Sequence, residues 1–301
     1  MSKLLKMRNL FFVTILILFT NYSCREIVTD EFPGFTPVPA VNSILIAGKP
    51  MKVHVSFAEM LDTNQLTLVN DAEILLYIDG NYAETLLPYE NGIYFSSSIV
   101  EPLRSYRLEV NVPGYKTLTC NEILPAPSPI LDIIHTSYAG KDEEGVIYPS
   151  LTFSLRTNTS ERQYFEVIIR LLQGKYERLA TLKKITDPVL LNEGLPLTIF
   201  SNEIIRDSVY TMTINYFTGG YGSSGGGPSY TDLYPLIIEL RSCSGSYYQF
   251  VKQKYLYEKG RFPEFPAASI NAFPLFSNIP GGYGIFAGYS VVVSDTLFPK
   301  Y

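Results

Sequence analysis

Few side chains in the 301-residue sequence have both the type and the spacing to do chemistry. There are only two histidines, His54 and His135, each in a strand-like segment, which argues against a Ser-His-Asp triad and against a histidine metal site. Both are read as structural. The carboxylates cluster once, at Asp142-Glu143-Glu144 between Gly140 and Gly145, and this reads as a solvated turn, with weak calcium binding as the alternative. No serine stands in a Gly-x-Ser-x-Gly elbow, and no Cys-x-x-Cys or Cys/His spacing suggests zinc. The glycine-rich run FTGGYGSSGGGPSY, residues 217–230, has backbone suited to wrapping an anion. It lacks a following Gly-Lys-Ser/Thr and a helical pattern, so it reads as a surface loop between two strands. No catalytic, cofactor-binding or metal-binding residue is assigned, and no cofactor is expected.

The remaining chemistry belongs to cysteine. Lys3, Lys6 and Arg8 precede an apolar run, Leu10 to Thr20, and Asn21-Tyr22-Ser23-Cys24 follows. The run is too short for the roughly 20 apolar residues a membrane-spanning helix needs, so residues 1–23 read as a cleaved signal peptide. A small residue before Cys24 resembles a bacterial lipobox, which implies a thioether-linked diacylglycerol on Cys24 as the first residue of the mature chain. An ordinary thiol just beyond the cleavage site is the alternative. More than one acyl chain is needed for stable attachment, and a di- or triacylated cysteine supplies that. Cys120 and Cys243 then remain, read as two buried thiols, with a disulfide between them the alternative.

The full chain carries Lys+Arg 24 against Asp+Glu 29, and without the three basic residues of the signal the balance is 21 against 29, or −8. An acidic chain with no basic stripe does not suit nucleic acid. Tyr 23, Phe 18, Gly 21, Pro 20 and no Trp favour turn-rich β structure.

Residues 24–40, with Pro33, Gly34, Pro37 and Pro39, read as a tether. In VHVSF, Val53, Val55 and Phe57 share one face of a strand and His54 the other. Asp79-Gly80 and Asn91-Gly92 lie between apolar runs and predict hairpins, while YRLEVNVPGY alternates cleanly and turns at Pro113-Gly114. Residues 41–123 therefore predict an N-terminal β-sandwich of immunoglobulin or transthyretin type. The proline-rich 124–130 reads as a linker. Residues 131–301 predict a second antiparallel β domain, with strands at LTFSLRT, YFEVIIRLL, YTMTINYF, LIIELRS and YSVVVSDTL. It carries one principal helix over about 246–259, capped by Ser246 and ended by Gly260.

The C-terminal run of Ser277, Asn278 and Ile279, then Gly281, Gly282, Gly284, Ile285 and Phe286, resembles the closing signature of a Bacteroidota lipoprotein family, domain of unknown function 4249. DAEILLYIDG, NGIYFSS, SYRLEVNVPGY and SYYQFVKQ agree with it; Arg261-Phe262-Pro263-Glu264-Phe265-Pro266 departs from its more polar lead. The resemblance implies a lipoprotein held on the outer membrane through its N-terminal lipid. It also implies genomic company with TonB-dependent β-barrel transporters and no established activity. The signature itself reads as structural, its glycines allowing close backbone approach where the run closes the second β domain. The expected role is a non-enzymatic accessory or substrate-capture partner of such a transporter, facing either outward or into the periplasm. A stand-alone adhesion or envelope-structural lipoprotein is the alternative. Asp207-Ser208-Val209 and Asp295-Thr296-Leu297 resemble a Bacteroidota O-glycosylation acceptor.

Overall fold

The structure, a computed structural model, describes residues 36–58, 66–222, 230–260 and 274–300. The signal peptide, Cys24, most of the tether, residues 223–229 of the glycine-rich run and Arg261 to Pro266 lie outside the described residues.

The first half supplies β1 (Val38–Ile46), β2 (Pro50–Ala58), β3 (Glu73–Ile78), β4 (Asn81–Thr85), β5 (Leu87–Pro88), β6 (Ile93–Ile99), β7 (Ser105–Asn111) and β8 (Leu118–Ile123). Its turns follow their residues. Asp79 and Gly80 both take positive φ, 49° and 80°, as do Asn91 and Gly92 at 60° and 69°, which closes the hairpins the sequence predicts. Gly114 sits at φ 83° behind Pro113, and Tyr115 N donates to Val112 O at 3.0 Å.

The second half supplies β9 (Ile130–Lys141), β10 (Ile147–Arg156), β11 (Tyr164–Gln173), β12 (Tyr176–Leu179), β13 (Thr181–Leu182), α1 (Pro188–Glu193), β14 (Ile199–Ser201) and β15 (Val209–Phe217). It continues with β16 (Tyr221–Gly222), β17 (Tyr230–Thr231), β18 (Leu236–Cys243), α2 (Gly245–Gly260) and β19 (Tyr283–Val293). The chain is mainly β, as its composition predicts.

What the sequence does not announce is how the halves join. A nine-stranded sheet runs β12-β11-β18-β19-β1-β2-β6-β5, with β14 on β11, so strands of both halves share one hydrogen-bonded layer. At the seam, β19 runs parallel to β1 from Ala40 opposite Tyr283 to Ile46 opposite Tyr289, and antiparallel to β18. Residues 38–40, assigned to the tether by their prolines, are therefore the start of β1.

One face of this long sheet carries two cores. Val41, Leu45, Val53 and Phe286 pack with Ile74, Leu108 and Val110 of the four-stranded sheet β4-β3-β7-β8. Val167, Ile169, Leu236 and Leu240 pack with Phe153, Met212 and Tyr216 of the six-stranded sheet built on β13, β15 and β10. The 124–130 segment is held down between them. Leu124 is fully buried, Ser128 N donates to Ser242 Oγ at 3.0 Å, and Ser290 Oγ donates to Pro125 O at 2.5 Å.

The opposite face carries α2. Ser244 caps it, not Ser246: Tyr248 N donates to Ser244 O at 3.1 Å and Tyr247 N to Ser244 Oγ at 3.3 Å. The reason is that Tyr247 and Tyr248 must both enter the helix to reach the sheet. The short α1 has Asp187 as its N-cap, proline in its first turn and Gly194 at φ 72° as its C-cap, signals present in DPVLLNEG but not predicted as a helix.

Candidate functional site

On the α2 face, alternate residues of β11 and β18 point toward the helix, and the register puts Glu166 opposite Arg241 and Tyr164 opposite Cys243. Arg241 Nη1 bonds Glu166 Oε2 at 2.8 Å, Tyr247 OH donates to the same oxygen at 2.9 Å, and Arg241 Nη2 bonds Glu239 Oε2 at 3.0 Å. Arg170 closes the chain on Glu239. The Arg241 guanidinium also lies 4.5 Å from the ring centre of Tyr289.

A second knot fastens α1 to α2. Glu193 accepts from Lys252 Nζ at 2.8 Å, from Ser201 N at 2.7 Å and from Tyr248 OH, while Lys252 Nζ reaches Tyr248 OH at 3.0 Å. Burial pushes the Glu193 carboxyl up, but the bonds from Lys252 and Tyr248 outweigh it and hold the carboxyl below its usual range.

These groups hold their protonation states at neutral pH. Burial works against the charge on Arg241, yet Tyr247 and Glu166 beside it leave its pKa raised. Burial, then Glu166, pushes the Tyr247 phenol up, and burial pushes the Cys243 thiol well up. A fixed guanidinium, neutral phenols and a protonated thiol position a helix; they do not exchange protons near pH 7.

What they position is a cleft. Beside α2 the outer face of β1, β2 and β6 is left open as a concavity of about 590 Å³. Ile44, Ile46, Pro50, Phe95 and Ile285 line it from the sheet and Phe250 from α2. Lys52, paired with Phe95, and His54, paired with Asn42, rise from β2 within this lining, Lys49 precedes them, and no carboxylate is among the described residues that line it. The outward position of His54 on β2 is as the alternation predicts, and that face is the cleft. Only the assembled sheet brings Ile44, Lys52, Phe95 and Phe250 together, and the sole sequence signal was an apolar residue recurring on outward positions of β1.

The remaining predicted residues have structural places. Asn278 pins the signature turn: its Nδ2 donates to Phe286 O at 2.7 Å and its Oδ1 accepts from Phe286 N at 2.8 Å. Ile279 and Phe286 enter the first core, and Ile285 lies under α2. Gly281 takes φ 79°, and Gly282 approaches Pro39 so closely that a Cβ there would lie 2.7 Å from its carbonyl oxygen. Gly284 and Ser277 complete the run, which does more than close the second half, since it inserts between β18 and β1.

His135 Nε2 pairs with Tyr216 OH at 2.8 Å. Asp142 Oδ1 accepts from Val146 N at 2.7 Å and its other oxygen bonds Lys183 at 2.7 Å, the geometry of a closed turn. Cys120 and Cys243 are free and buried, and burial pushes the Cys120 thiol up to about 12. Ser208 and Thr296 are both exposed.

The chain belongs to the family described as a domain of unknown function, DUF4249, whose model matches residues 25–295. No curated protein matches it. Among solved structures it is similar to the crystal structure of a Corynebacterium diphtheriae protein described as membrane anchored, at 10% identity and a TM-score of 0.20. That match covers 71% of this chain, which spans just over half, 55%, of the other.

Proposed function

We propose that the protein is a lipid-anchored outer-membrane lipoprotein that captures a ligand on the face beside α2 and works as a non-enzymatic accessory of a TonB-dependent β-barrel transporter. The observation that carries this reading is the cleft itself. Its surface is mostly apolar with a small number of polar groups among it, the make-up of a binding site. The neighbouring charges are tied into ion pairs that fix α2. The arrangement supports holding a ligand in one geometry without transforming it. Signal, Ser23-Cys24 and the tether support attachment to a membrane through lipid.

The test is affinity purification of the tagged protein, at native level, from gently solubilised membranes, with mass spectrometry of what accompanies it. A stoichiometric β-barrel transporter is expected. Recovery of the acylated protein alone would overturn the accessory role and favour a stand-alone adhesion or structural lipoprotein.

A further inference from the structure

We infer that the cleft beside α2 takes a single anionic amphiphile, with its apolar body between Phe250 and Phe95 and its carboxylate or phosphate at Lys49 and Lys52. This deepens the capture reading above and rests on it.

Three features of the cleft lead there. The first is its chemistry: Ile44, Ile46, Pro50, Phe95, Phe250 and Ile285 offer an apolar surface long enough to span from β19 across β1 and β2 to β6. An apolar body placed there covers surface that water now meets. The second is charge. Lys49 and Lys52 are exposed, sit in a lining with no carboxylate, and their ammonium groups make no ion pair or hydrogen bond among the described residues. In a chain of net charge −5, two ammonium groups unpaired among the described residues, beside an apolar surface, complement an anion and oppose a cation.

The third is shape. Roughly 300–1,000 Å³ is the usual size of a small-molecule site, and about 590 Å³ between Phe250 and Phe95 is of that size. With α2 rising at one side of the sheet face, a single free amphiphile fits this concavity better than a planar bilayer. Rigidity adds to this, because the Glu166–Arg241–Tyr247 and Glu193–Lys252–Tyr248 bonds fix the helix that carries Phe250. A wall fixed before binding spares the entropy of ordering it afterwards.

The experiment uses the mature chain, residues 24–301 with Cys24→Ala, which has neither signal peptide nor acyl group to compete. It is titrated calorimetrically below the critical micelle concentration with dodecanoate, dodecanol and dodecyltrimethylammonium. Dodecanoate is expected to saturate one site, and dodecyltrimethylammonium to bind at least about tenfold more weakly. Lys49→Glu/Lys52→Glu should weaken dodecanoate at least about tenfold while changing dodecanol less than about twofold. Phe95→Ser, at an exposed position that disturbs no core, should weaken dodecanoate and dodecanol alike.

Failure of dodecanoate to saturate, or equal binding by the charge-reversed variant, overturns the inference. Sedimentation with phosphatidylglycerol vesicles but not phosphatidylcholine vesicles, without dodecanoate binding, overturns it in favour of a membrane-docking face. A co-purifying transporter with no dodecanoate binding would refute the ligand class alone, whereas dodecanoate binding without a transporter would refute the accessory role alone.

Discussion

Gly284→Ala tests the seam where β19 joins β1. Gly284 has φ 111°, and a Cβ built on it would lie 2.0 Å from Val41 O and 2.7 Å from Val41 C. Those are backbone atoms of the partner strand, so no rotamer change relieves the contact, and β1 and β19 must separate. The strained φ alone costs about 1–3 kcal/mol. Forcing the strands apart adds about 1–3 kcal/mol more, as overpacking does. The sum, about 2–6 kcal/mol, is a large part of the 5–15 kcal/mol typical of a whole fold. For a domain of this size it lowers the melting temperature by roughly 4–24 °C. Gly48→Ala is the control, because Gly48 also has positive φ, 82°, but nothing within 4 Å of its Cβ. It should cost only the conformational part. Urea unfolding of the two variants, read as midpoint shifts at unchanged slope, makes the comparison. If Gly284→Ala costs no more than Gly48→Ala, the close parallel pairing of β1 with β19 is not what holds the halves together.

Arg241→Met should destabilise by about 3–5 kcal/mol in urea unfolding, because Glu166 stays buried without its cation. Adding Glu166→Leu should recover part of that loss; no recovery would show that Arg241 acts through packing instead. Glu193 titrates below its usual range in the fold, so its contribution is complete above the unfolded pKa of about 4.3 and is lost as pH falls through the lower folded pKa. Lys252→Met should therefore be less stable than wild type at pH 7, with the gap closing toward pH 3 in acid-unfolding curves. Burial raises the Glu122 carboxyl, the opposite sign, so charge on it opposes folding above its folded pKa. Glu122→Gln keeps an acceptor for Ser244 Oγ and should raise the melting temperature at pH 8 but not at pH 4. Intact-mass measurement of the native protein should show acylation at Cys24, and added hexose mass if exposed Ser208 or Thr296 is an O-glycan acceptor; an unmodified mass ends both expectations.

Where a local rule decided the structure, the sequence was readable. Asp79-Gly80, Asn91-Gly92 and Pro113-Gly114 turn where their residues permit positive φ, and alternation in YRLEVNVPGY is the burial pattern of β7. The seam was not readable. Pairing Ala40 with Tyr283 joins positions more than two hundred residues apart, and nothing in either strand names its neighbour. The prolines at 37 and 39 argued for a tether, yet Pro39 is paired opposite Phe57 in β1. The charged pairs under α2 were hidden for a different reason. Glu166, Arg241 and Glu239 occupy the outward positions of alternating strands, which look solvent-facing until a helix covers them. Ser246 met the rule for a cap, but burial of Tyr247 and Tyr248 moved the helix start toward Ser244.

On the proposed function, the working surface of the protein is the face beside α2. A photo-reactive residue at position 95, compared with one at Tyr176 on the far edge strand β12, tests this in intact cells with the anchor in place. Both side chains are exposed, at 37% and 76%, so accessibility alone would favour position 176. A discrete adduct of amphiphile or β-barrel mass is expected from position 95, and none from position 176. Adducts from position 176 alone, or none from either position, would contradict it.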